Sequence, residues 1–312
     1  MKESLRWESV AEMVRRVVSR QGRRRSGLYA IEGTRLVERA LRAGAPLTAV
    51  LAAAQLAATP DPRHHALFDA LSLAGVPLVV APDAVIAELT EGRDLGRVLG
   101  LVRLPRPMAL AELLAGVADP LPNPLPRGEG VADPLPNPLP RGEGTSTPAP
   151  LPPRSPSLFL AAIDITDPGN VGALTRTAHA AGAAALLVAG ASDPFHPRAT
   201  RISRGSIFRL PVVLYETAAD LLADLRRCGV SAIATSAAGG TPLPDLPPLS
   251  GPLAVLMGNE AEGLPPEVAG AVDIRVTIPM PPGVDSYSVN AAAAIVLYEV
   301  GRSRPQPWSR QE

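Results

Sequence analysis

The segment VADPLPNPLPRGEG occurs twice in tandem, at 117–130 and 131–144, and TSTPAPLPPRSPS follows it. A proline at nearly every second or third position removes backbone donors and crowds the preceding turn, so neither a helix nor a sheet ladder can form there. The repeats are too short and too polar to bury a face on one another, which argues against a solenoid and for a semi-extended, polyproline-like spacer. The chain is therefore expected to fold as two bodies, 1–116 and 158–302, with a disordered linker over 117–157 and a flexible tail over 303–312. A proline-rich docking ligand is the alternative use of the same linker.

Aromatic residues make up only 3% of the 312, and alanine, valine and leucine carry the apolar content, a balance typical of α/β proteins. Cys228 is the single cysteine, which excludes a disulfide framework and fits a reducing cytosol; its setting in LADLRRCGV reads as a structural helix end. No basic start precedes an apolar h-region and no apolar run approaches a membrane span, so a cytoplasmic chain is expected. Net charge is zero, yet RRVVSRQGRRRSG at 15–27 holds Arg15, Arg16, Arg20, Arg23, Arg24 and Arg25 with no acid among them. That segment is either a polyanion-binding surface, with Arg23, Arg24 and Arg25 at its centre, or a solvated charge run ending a helix.

From residue 27, strand-like and helix-like stretches alternate: GLYAIEG, TRLVERALRAGA, LTAVLAA, PRHHALFDALSLAG, PLVVAP, DAVIAELTEG, RVLGLVRL. This predicts a small α/β domain led by the basic segment. Adjacent His64 and His65 do not share a helix face and lack partners at metal spacing, so they are expected in solvent, and no metal is expected. The second body begins at SLFLAAIDI, with further strand signals at AALLVAG, PVVLYE, SAIATS, PLAVLMG and DIRVTIP and helices between them. Such alternation predicts a mostly parallel sheet covered by helices, with ligands bound beyond the carboxyl ends of the strands.

Three loops leave strand ends with uncommon chemistry. DPGNVGALTRTAHAAG (167–182) lacks the glycine spacing of a dinucleotide fingerprint or a P-loop. Asp167 or Asn170 can cap the helix that follows, but an arginine two turns along, Arg176, cannot assist that N-terminus. In LMGNEAEGLPPE (256–267), Gly258, Asn259 and Glu260 end a strand and Gly263 closes a turn, letting backbone amides approach a ligand. IPMPPGVDSYSVNAAAAIVLYE (278–299) is a strand end, a Pro-Pro-Gly loop and a helix expected to carry Asp285, Ser286, Ser288 and Asn290 in its first turn.

Taken together, in this order and spacing, the loops resemble the three signature motifs of SpoU-type (TrmH-like) RNA 2'-O-ribose methyltransferases of the SPOUT superfamily. The likeness rests on Asn-x-Gly-x-x-x-Arg, Gly-Asn-Glu-x-x-Gly-Leu, and Ile-Pro-Met with Ser-x-Asn, and spans 157–302. ATRISRGSIFRLPV is similar to a further family segment, and YAIEGTRLVERALRAG resembles the small substrate-binding domain that some members carry. The resemblance implies a homodimer, a deep trefoil knot in the carboxyl half, S-adenosylmethionine as methyl donor and RNA as substrate; the separate amino-terminal domain favours a structured ribosomal target over transfer RNA. It places the cofactor against Gly258, Asn259, Ile278, Met280 and Val289, and the transfer site among Asn170, Arg176, Glu260, Ser288 and Asn290. Many relatives read Ser-Leu-Asn-Val-Ser where this chain has Ser288-Val289-Asn290-Ala291-Ala292, so a second serine is absent; the Pro281-Pro282 loop is also long.

Methyl transfer from a sulfonium to a ribose hydroxyl needs alignment and proton removal. The family reading makes Arg176 the base, helped by a substrate phosphate. Because a guanidinium stays protonated in proteins, an equally physical role is a bidentate phosphate clamp. Base methylation by the same superfamily, or an inactive RNA-binding or assembly protein on this fold, are the rival readings.

Overall fold

A computed structural model describes residues 5–58, 61–93, 95–116, 158–236 and 239–302. The expected linker at 117–157 and tail at 303–312 lie outside the described residues. The chain divides into two compact units, with the first break after Pro105.

The first unit opens with α1 (Trp7–Val17) and α2 (Arg20–Ser26), then β1 (Leu28–Glu32), α3 (Thr34–Arg42), β2 (Leu47–Ala53), α4 (Ala54–Ala58), α5 (Pro62–Leu73), β3 (Leu78–Ala81), α6 (Asp83–Leu89) and β4 (Val98–Arg103). Its sheet runs β1-β4-β2-β3, with β4 antiparallel to both neighbours and β2 parallel to β3. Val10, Val14 and Val17 recur along one face of α1 and pack with Leu51, Leu99, Leu101 and Ile86, so the amino-terminal segment contributes to the core as well as carrying charge.

The basic stretch is divided by its own fold. Ser19 caps α2, its hydroxyl accepting from the Gly22 amide at 3.0 Å. A Cβ on Gly22 would stand 1.8 Å from the Arg16 carbonyl oxygen, so only glycine lets α2 turn this tightly off α1. Arg23 folds back, 2% exposed, and its Nη1 donates to the carbonyl oxygens of Val17 at 2.8 Å and Val18 at 2.7 Å. Arg24 and Arg25 are exposed. Arg15 makes a two-toothed bond to Glu88, 2.9 Å on each nitrogen. His64 differs from the solvent-exposed expectation: it is partly buried, with Nδ1 3.6 Å from Asp61 Oδ2, whereas His65 is exposed.

The second unit holds α7 (Leu110–Leu114), β5 (Leu158–Ile163), α8 (Pro168–Ala180), β6 (Ala185–Ala189), α9 (Pro197–Ile202), β7 (Val212–Tyr215), α10 (Ala218–Arg227), β8 (Ser231–Ser236), β9 (Thr241–Pro242), β10 (Leu253–Met257), α11 (Pro266–Ala269), β11 (Ile274–Thr277) and α12 (Val289–Arg302). Its seven strands are parallel, in the order β7-β6-β5-β10-β8-β11-β9. Strand residues alternate between two cores. Leu158, Leu160, Val255 and Met257 face α8 and α12, while Phe159, Ala161, Ile163 and Leu256 face α7, α10 and α11. Leu110 and Leu113 are buried in the latter core, so α7 belongs here, not to the first body where a boundary at 116 would put it.

Among the described residues, no helix is long and apolar enough to cross a membrane, and no group of three or more His, Cys, Asp or Glu could hold a metal ion.

Candidate active site

The chain reverses its march across the second sheet between β5 and β10: β6 and β7 extend one edge, β8, β11 and β9 the other. Beyond strand ends at such a switch point, loops part and leave a crevice.

After β10 the chain makes a tight loop stitched by one side chain. Asn259 Nδ2 donates to the Asp164 carbonyl at 3.0 Å, and its Oδ1 accepts from the amides of Ala261 at 2.9 Å and Glu262 at 3.3 Å. The Gly263 amide closes the loop onto the Asn259 carbonyl at 2.8 Å. A Cβ on Gly258 would meet the Gly263 carbonyl carbon at 2.3 Å, and Gly263 itself has φ +73°, so both positions require glycine.

After β5, Asp167 supplies the cap of α8, its Oδ1 accepting from the Gly169 amide at 2.7 Å. Helix α8 therefore starts at Pro168, and Asn170 has no capping duty. Its Nδ2 donates to Glu260 Oε1, and its Oδ1 accepts from Asn290 Nδ2 at 3.1 Å. Residues from the starts of two helices and one loop thus form one chain, Glu260–Asn170–Asn290. Close packing behind it depends on Gly172, where a Cβ would lie 2.3 Å from the Ala199 carbonyl oxygen.

Helix α12 begins at Val289, later than its sequence suggested: Asp285 and Ser286 precede it, and Ser288 caps it, Oγ accepting from the Ala291 amide at 3.3 Å. Val289 is 9% exposed and joins the sheet core as well as the cleft.

A cleft of about 710 Å³ opens along these strand ends. Gly258, Asn259, Ile278, Met280, Val289, Asn170, Glu260 and Ser288 all line it. Asn290 sits behind Asn170, with an Oδ1 that is buried and lacks a hydrogen-bond partner among the described residues. Arg176 is not in the lining: it stands on the exposed face of α8, about 9 Å along the helix axis from Asn170. Ala234, Thr235 and Ser236 at the end of β8, together with Leu264 and Tyr287, also line the cleft. SAIATS carries no motif, and only the placement of β8 between β10 and β11 brings its end here.

The cleft suits a ligand with an apolar body and a polar edge. Its volume is that of a small-molecule site, its walls are Met257, Leu264, Ile278, Met280 and Val289, and its floor at Gly258 is bare backbone. An adenosine-bearing cofactor fits this donor set.

Two asparagines and a glutamate meet at the switch point of a parallel α/β sheet, beside a cleft of small-molecule size. Comparison makes the class specific: residues 157–298 match the SpoU rRNA Methylase family, and residues 12–97 match the MRM3-like substrate binding domain. One relative, the 23S rRNA (guanosine(2553)-2'-O)-methyltransferase RlmP of Bacillus subtilis, is 32% identical over 137 residues, 44% of this chain and 54% of that protein. The 23S rRNA (uridine(2479)-2'-O)-methyltransferase of Streptomyces viridochromogenes is 34% identical over 145 residues, 45% of this chain and 50% of that protein. The chain spans about half the length of these curated relatives. In fold it is similar to the SpoU methyltransferase AviRb of Streptomyces viridochromogenes in complex with AdoMet, with a TM-score of 0.73 at 23% identity, covering 94% of this chain and 97% of that one.

Proposed function

We propose that this chain transfers a methyl group from S-adenosylmethionine to a ribose 2'-hydroxyl of ribosomal RNA. The observation that carries the reading is the Glu260–Asn170–Asn290 chain beside the cleft, assembled from all three family motifs. Relatives named for 2'-O-methylation of 23S rRNA support the substrate class.

S-adenosylmethionine, when bound, supplies a sulfonium-activated methyl group. Gly258, Asn259, Ile278, Met280 and Val289 would hold it: the bare backbone at Gly258 admits close approach, and the apolar side chains exclude water. Asn170 and Asn290, locked to each other and to Glu260, orient the ribose, and Ser288 adds a hydroxyl at the cleft wall. Arg176, outside the cleft, clamps a neighbouring phosphate through its planar fork. Arg24 and Arg25 hold RNA backbone at the first unit, and Arg23 shapes the turn that presents them. The same reading makes the protein a cytoplasmic homodimer with a trefoil knot in its carboxyl half.

The test is incubation of the full chain with methyl-labelled S-adenosylmethionine and a 23S rRNA transcript, followed by nuclease digestion and nucleoside mass spectrometry. A 2'-O-methylnucleoside is expected. A base-methylated nucleoside would move the activity to the rival reading, and cofactor binding without any transfer would make the chain an RNA-binding protein on this fold.

A further inference from the structure

Outside the cleft, the exposed face of α8 carries Arg176 and, one turn on, His179, side by side on the helix surface. His179 is held in place from a second element: its Nδ1 lies 3.1 Å from the Oγ of buried Ser206, which begins a single 3-10 turn, Ser206–Phe208, packed on α8. Arg209 follows that turn directly and is exposed.

Among the described residues, neither Arg176 nor Arg209 has an ion-pair partner, in contrast to nearby Arg198, whose Nη1 lies 3.2 Å from Asp167 Oδ1. Partial burial first, and Arg209 second, hold the His179 pKa below its ordinary value, so the arginine is near enough to act on the ring. A guanidinium without an ion-pair partner near a hydrogen-bonded imidazole leaves positive charge that an anion can offset. The patch shares α8 with Asn170, which lines the cleft, and Arg176 stands about 9 Å along the helix axis from it.

We propose that Arg176, His179 and Arg209 form a phosphate-binding subsite that seats the RNA backbone beside the methyl-accepting ribose. The inference rests on the RNA reading above and extends it to His179 and Arg209, which lie within DPGNVGALTRTAHAAG and ATRISRGSIFRLPV but have no role assigned by those segments. Arg209 donates to phosphate oxygens as a charged fork, and the Ser206 bond fixes the imidazole's orientation. The carboxyl-terminal unit thereby has its own phosphate contacts, separate from Arg24 and Arg25.

The test is binding of a 23S rRNA transcript to the full chain by filter retention from 50 to 300 mM KCl, alongside S-adenosylmethionine affinity by calorimetry. Arg209→Ala should weaken RNA binding about three- to tenfold and flatten the logarithmic salt slope by about 0.7–0.9, the loss of one phosphate contact, with cofactor affinity unmoved. Arg209→Lys should recover part of the affinity and His179→Gln should lose less than Arg209→Ala. Unchanged RNA affinity and salt slope in Arg209→Ala, with Arg24→Ala still weakened, would overturn the subsite and leave the RNA reading standing. A change of oligomeric mass by light scattering in Arg209→Ala would overturn it in favour of a contact between subunits. If the unaltered chain neither binds nor methylates the transcript, the RNA reading fails, and this inference with it.

Discussion

The buried Arg23 guanidinium answers the carbonyls of Val17 and Val18, which the end of α1 would otherwise leave unpaired, while Arg24 and Arg25 extend into solvent. Arg23→Ala should therefore cost about 1–3 kcal/mol in urea denaturation, since it leaves acceptors without donors, whereas the Arg24→Ala, Arg25→Ala pair should stay within about 0.5 kcal/mol. The paired change should instead weaken RNA binding and its salt dependence. A run of arginines shows charge in a sequence; which one turns inward depends on the Ser19 cap and the contact at Gly22, and neither is legible from composition. Arg176 was legible through its spacing from Asn170, yet its distance from the cleft was not. Arg176→Ala should cut single-turnover methyl transfer by orders of magnitude while sparing cofactor binding, and Arg176→Lys should do nearly the same if the planar fork is what matters. Near-normal transfer in the lysine variant would reduce its role to charge attraction. His179 gives a separate readout in stability. Its pKa is depressed in the folded chain, so as pH falls through its ordinary value the unfolded chain takes up the proton first, and the folded state loses stability. The melting temperature should fall less between pH 7.5 and 5.5 in His179→Gln than in the unaltered chain.

Strands of the second unit were readable because a parallel sheet covered on both faces demands short apolar runs, and β5, β6, β7 and β10 all lie within such runs. Short elements were not. The two residues of β9 and the turn before Arg209 are fixed by pairing and packing, without a periodic signal of their own. The start of α12 shows how capping competes with pattern. Polar residues from Asp285 onward suggested an earlier first turn, but Ser288 takes the cap and leaves 285–287 as cleft wall. The loop after β10 is the element on which the candidate site depends most. Gly258→Ala puts a methyl group into the Gly263 carbonyl, and the loop must open to accept it. Because β10 lies upstream and stays packed, the sheet should survive with a modest drop in melting temperature. Calorimetry should show S-adenosylmethionine affinity reduced tenfold or more; unchanged affinity would place the cofactor elsewhere.

At the scale of the whole chain, the proline-rich repeat marks a division that the cores respect, but it does not mark the boundary. The apolar cluster of the first unit runs from Val10 to Leu101, and those of the second unit begin at Leu110. What the sequence could not reveal is that α7, short and lying before the prolines, packs on the sheet beyond them: its two buried leucines, Leu110 and Leu113, look alike whichever core receives them. This makes a prediction about where the chain can be cut. Deleting 117–144 should leave both the melting temperature and cofactor affinity nearly unchanged, because a proline-rich repeat of this kind is a spacer; a loss of several degrees would mean that the repeat docks on a unit. A fragment of residues 106–302 keeps Leu110 and Leu113, whereas one of residues 158–302 exposes the surface they cover. Burial of a leucine is worth about 1.5–3 kcal/mol, so the shorter fragment should unfold at clearly lower urea concentration than the longer one. Adding a separate peptide of residues 106–116 should restore part of that difference, because it returns Leu110 and Leu113 to the core they share with Phe159 and Leu256. Equal midpoints for the two fragments would show that α7 contributes nothing to the second core, and would return the boundary to 116.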